Sequence, residues 1–72
     1  MKSVIASIDV STRGKRRKAM SGIIDLLKVI REAEENYMAK MPVNLQSGDA
    51  YVLADESIDA IIEAVSYLED AY

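Results

Sequence analysis

The spacing of the hydrophobic positions changes along the chain. Residues 3–10 alternate between apolar and polar, and this period of two predicts a half-buried strand. Over residues 16–41 the apolar positions recur every three or four residues, which predicts one long amphipathic helix. Pro42 ends that helix, because the residue before a proline disfavours the α conformation.

The second half of the chain indicates a hairpin and then a shorter helix. Residues 43–54 are typical of two short strands, with the turn at 47–49 and the better strand at 51–53. Asp55 is a good N-cap for a second helix of about 16 residues. The order β-α-β-β-α predicts an α+β fold in a single domain over 1–72, in which the two helices cover a small sheet. This order matches the first five elements of a ferredoxin-like split β-α-β fold.

The composition excludes several kinds of chemistry. The 72 residues include no cysteine and no histidine, which removes disulfides, thiol nucleophiles, imidazole bases and zinc sites of the Cys/His type. Phosphate-binding loops, nucleophile elbows and EF-hand loops are missing from the sequence as well. We therefore expect no enzymatic activity, cofactor, metal or small-molecule substrate. Without a signal peptide or an apolar run of about 20 residues, we expect a cytoplasmic protein with no membrane contact.

Charge is segregated between the two halves of the chain. Residues 1–31 carry eight basic and two acidic residues (+6), whereas residues 32–72 carry one basic and ten acidic residues (−9), which sum to the net charge of −3. Such asymmetry bears on partners rather than on the fold. The most concentrated feature is the basic segment, which comprises Arg13, Lys15, Arg16, Arg17 and Lys18.

The basic segment predicts contact with a macromolecule, either an acidic protein surface or nucleic acid. A protein partner is favoured because the chain is acidic overall and carries no nucleic-acid-binding motif. A solvated loop, or pairing with acids of the second helix, is the alternative that needs no partner. A ribbon-helix-helix regulator also begins with a strand, but its first helix is shorter than the one predicted here.

The long helix carries a second apolar stripe beside the first. A chain of this size has little else to cover both stripes, which predicts a homodimer. The predicted dimer interface comprises Met20, Ile23, Leu26, Leu27, Ile30 and Met38. These features together predict a non-enzymatic interaction protein that binds another macromolecule through the basic segment. One alternative is a nucleic-acid-binding regulator that uses the same segment. Another is a small acidic inhibitor from a mobile element, whose second half mimics nucleic acid.

Overall fold

The chain forms a helical hairpin. The computed structural model describes residues 8–72, in which helix α1 (Arg13–Ala39) and helix α2 (Asp49–Ala71) run antiparallel, with a 3₁₀ turn at Val43–Leu45 between them. The described residues contain no strand, so the predicted α+β fold with the order β-α-β-β-α was wrong. The predicted strand over 3–10 falls mostly on residues 1–7, which lie outside the described residues.

Helix α1 is the long helix that the apolar spacing predicted, and it begins three residues earlier than expected. Thr12 caps it, because its Oγ1 accepts a hydrogen bond from the Lys15 N–H at 3.1 Å while its own backbone is extended. The basic segment therefore lies in the first turns of a helix and not in a loop. At the other end the Lys40 N–H still donates to the Asn36 carbonyl, and Pro42 prevents a further turn.

The hairpin loop, residues 40–48, is a series of tight turns. The N–H groups of Leu45, Gln46 and Gly48 each donate to a carbonyl three residues earlier, at 2.9–3.2 Å. Gly48 then starts α2, because its carbonyl accepts from the Val52 N–H at 3.1 Å. A Cβ at Gly48 would lie 3.3 Å from the Leu45 carbonyl oxygen, closer than most Cβ atoms approach a neighbour, so the turn favours glycine there.

The hairpin predicted over residues 43–54 was wrong, and Asp55 lies inside α2 instead of capping it. The aromatic and β-branched residues at 51 and 52 favour a strand locally. However, Ala54 and Ile58 are buried against α1 at helical spacing, with Tyr51 half-buried on the same stripe. This packing between the helices overrides the local preference for a strand.

The two helices make a layer that is one helix thick. The molecule measures 51 × 31 × 15 Å, and a single helix with its side chains is about 10–12 Å across. Its radius of gyration of 15.7 Å exceeds the roughly 11 Å of a compact domain of this length. The buried core of the described chain is therefore only a narrow stripe, which comprises Ile24, Ala54, Ile58 and Val65.

Truncation of this stripe tests the packing. We expect Ile58→Ala, at a side chain only 8% exposed, to lower the free energy of unfolding by about 2–4 kcal/mol. Ile62→Ala is the matched control, because Ile62 lies in the same helix and is 47% exposed; it should cost about 1 kcal/mol or less. Urea denaturation followed by circular dichroism measures both. Equal losses would contradict the observed interface between α1 and α2.

Candidate interaction surfaces

Each helix has a shielded stripe of buried and half-buried residues, and the residue immediately before each of them in the sequence belongs to an exposed, mostly apolar stripe. The shielded residues face the other helix, whereas the preceding residues remain open to solvent. The exposed–shielded pairs are Ile23–Ile24 and Tyr37–Met38 in α1, and Leu53–Ala54 and Ala64–Val65 in α2. The exposed stripes are therefore placed in the same way on both helices.

Both exposed stripes lie on the same broad side of the layer. One position along a helix is a rotation of about 100°, and in two antiparallel helices an equal rotation away from the shared interface leads to the same side. An equal rotation in the opposite direction leads, on both helices, to the other broad side. Ala39 and Asp55 each follow a shielded residue, and both line one groove of about 370 Å³ near the hairpin loop. The layer thus has one apolar side and one polar side.

The apolar side is contributed by both helices. Its residues are Ile23, Leu26, Ile30, Ala33 and Tyr37 from α1, and Leu53, Ala60 and Ala64 from α2. All of them are exposed, and Leu26 and Leu53 are each 62% exposed. Contiguous exposed apolar surface of this kind is typical of interaction sites.

The six residues of the predicted dimer interface are divided by the fold. Ile23, Leu26 and Ile30 lie on the apolar side. Met20, Leu27 and Met38 are half-buried and face towards α2. Sequence reasoning missed the part of the apolar side that α2 contributes, which is mostly alanine.

The polar side is predominantly acidic. Its charged residues include Asp25, Glu32, Glu35, Asp55 and Asp59, all of which are exposed and follow a shielded residue. Ile62, 47% exposed, is an apolar residue on the same side. Within residues 8–72, no cluster of acidic side chains is arranged to hold a metal ion.

The basic segment is exposed and encircles the start of α1. Three of its five cations have partners in their own chain. Lys15 Nζ lies 2.7 Å from Asp9 Oδ2, and Arg16 Nη1 donates to the Val10 carbonyl at 3.1 Å. The Arg13 guanidinium lies 4.8 Å from the centre of the ring of Tyr72, a cation–π contact. Because the cations point around the helix, they do not form a single flat basic face.

The hairpin brings together two helix ends whose charges oppose their own helix dipoles. Cations at the start of a helix and acids at its end are both unfavourable. Arg17, near the start of α1, and Glu69, near the end of α2, line the same open groove of about 290 Å³. The antiparallel pairing therefore offsets, at the open end of the layer, two arrangements that would destabilise each helix alone.

None of the helices in the described part of the chain is apolar over the length that a bilayer requires. The chain matches no protein-family profile, no curated protein and no solved structure. Its function is therefore inferred from its own residues and geometry.

The Asp9–Lys15 ion pair gives a measurable titration. The Lys15 ammonium, and then the Ser11 N–H at 2.9 Å, hold the pKa of Asp9 below its ordinary 3.8. The contribution of this pair to stability is therefore present above pH 3.8 and is lost as the pH falls through the lower, folded-state pKa. We expect Lys15→Met to raise the pKa of Asp9 in an NMR titration. Lys18→Met removes a charge that does not contact Asp9, so it should leave the pKa of Asp9 unchanged. Equal shifts of this pKa in both variants would contradict the pairing.

Proposed function

We propose that this chain is a non-enzymatic interaction protein that works as a homodimer. In this proposal the apolar side is buried against a second copy, and exposed cations of the basic segment bind an acidic surface on another protein. The single observation that carries the proposal is the apolar side, which extends across both helices of a layer that has almost no interior of its own.

The size of the apolar side supports a stable dimer. Two adjacent helices of 27 and 23 residues, each about 10 Å across with a rise of about 1.5 Å per residue, present a side of about 800 Å², the area per partner of a standard interface. Two such layers placed face to face make a four-helix bundle, in which the exposed side chains of both copies become its core. A two-fold arrangement uses the same surface on both copies and leaves no apolar side open.

The basic segment supports a protein partner more than nucleic acid. Proteins that bind a duplex present their cations along one face or groove, whereas these cations surround a helix start and three of them are already engaged. Arg17 and Lys18 are both exposed, and no described acid lies within ion-pair distance of either. We place this binding in the cytoplasm.

Self-association is tested by light scattering on a sizing column. We expect a mass of about twice 8.0 kDa at micromolar concentration. Ile30→Glu should give a monomer, because it places a charge in the middle of the apolar side. Val52→Glu is the matched control, since Val52 is 45% exposed but lies away from that side. A monomeric wild-type chain would overturn the proposed dimer.

The partner class is tested with labelled duplex DNA, single-stranded DNA and RNA in fluorescence anisotropy, from about 50 to about 200 mM salt. We expect negligible binding at the higher salt, because the cations form no continuous face. A variant with all five basic residues replaced by serine should lose the protein cross-links that the wild type forms in a cell extract. Tight nucleic-acid binding that is lost in this variant would reassign the basic segment to nucleic-acid binding.

A further inference from the structure

We infer that the two copies pack with their hairpin loops at opposite ends of the bundle, so that Arg16 of each copy pairs with Glu34 of the other. This inference rests on the proposed dimer and specifies its orientation. It is carried by two charged side chains at the margins of the apolar side, and by the charge at the loop end of the layer.

Glu34 is the first of these side chains. It lies four residues after Ile30 and three before Tyr37, but it also continues the shielded stripe between Arg31 and Met38. Glu34 therefore lies at the margin between the apolar side and the stripe that faces α2, which accounts for its half-burial in the single hairpin. Among residues 8–72 no cation lies within ion-pair distance of it. A carboxylate that a second copy would bury further requires a partner.

Arg16 is the second. It lies seven residues, two helical turns, before Ile23, and therefore on the same side of α1. One nitrogen donates to the Val10 carbonyl, which leaves other guanidinium N–H groups for an acceptor. Arg16 and Glu34 are 18 residues apart on one continuous helix, a separation of about 27 Å. They are therefore too far apart to pair within one chain.

A two-fold axis across the middle of α1 brings them together. The midpoint of α1, Arg13–Ala39, is residue 26, with Arg16 ten residues before it and Glu34 eight residues after it. If a second α1 crosses antiparallel at that midpoint, Arg16 of one copy lies within one helical turn of Glu34 of the other. The symmetry forms this pair twice. Ala60 and Ala64, near the middle of α2, allow the two α2 helices to approach closely.

The charge of the loop end favours this orientation over the other face-to-face arrangement. Residues 31–59, the half of the layer at the hairpin loop, carry two basic and seven acidic residues, a balance of −5. With both loops at one end, two such halves would face each other and repel, and the repulsion is reduced because Glu32, Asp55 and Asp59 lie on the polar side, away from the partner. With the loops at opposite ends, each acidic half faces the half of the partner that contains the basic segment.

Charge exchange tests the orientation. Alone, Arg16→Glu and Glu34→Arg should each raise the Kd of self-association about tenfold, because both symmetry-related pairs become repulsive. Mixed, the two variants should form heterodimers with near wild-type affinity, since every pair is then attractive, and the double variant in one chain should recover too. Lys18→Glu mixed with Glu34→Arg is the matched control, because it makes the same change at the helix start but at the outer edge of the layer, away from the apolar side. Native mass spectrometry measures the proportions of the two homodimers and the heterodimer in each mixture.

A distance measurement gives an independent reading. The chain has no cysteine, so Asn44→Cys accepts a single spin label in the hairpin loop. We expect a label-to-label distance of about 40 Å or more, the length of α1. A distance within about 25 Å would place both loops at one end and overturn the orientation. A mixture of the two charge variants that shows no preference for the heterodimer would overturn it as well. Neither result would contradict the dimer itself. A wild-type monomer would overturn both the dimer and its orientation.

Discussion

A layer of two helices has no inside, and the rest of the structure follows from this constraint. Each helix has one neighbour, so each shields only the narrow stripe that faces it, and Ile24, Ala54, Ile58 and Val65 are the residues most fully withdrawn from solvent. All other apolar side chains lie on a broad side or at an edge. Although folding is driven mainly by the removal of apolar surface from water, many large apolar side chains of this chain therefore stay exposed in the single hairpin.

Charge favours the pairing of helix ends that the hairpin imposes. The basic start of α1 and the acidic end of α2 each oppose the dipole of their own helix. The hairpin places these opposite charges near each other. In the proposed dimer the same principle applies between copies, because the acidic loop half of one would face the half of the other that contains the basic segment. The small net charge of the chain, −3, therefore conceals a strong charge separation along its length.

The sequence predicted some of these features and not others. The long helix and its end at Pro42 were predictable, because the apolar period and a helix breaker are local signals. The start of α2 was misassigned, because residues 51–53 favour a strand locally and are helical only through packing against α1. The members of the basic segment were identified, but their arrangement around a helix depended on the cap at Thr12. On α2 the apolar side is largely alanine, which carries little hydrophobic signal, so that half became visible only in the folded hairpin.

The contact of Arg13 with Tyr72 joins residues from nearly the two ends of the described chain. In a hairpin, pairs near the loop close short segments and pairs at the open end close long ones, so the entropic cost of closure rises steadily along the layer. The antiparallel helices therefore form a graded structure that separates first at the open end and last beside residues 40–48. We therefore expect amide hydrogens at the start of α1 and the end of α2 to exchange with solvent before those next to the loop.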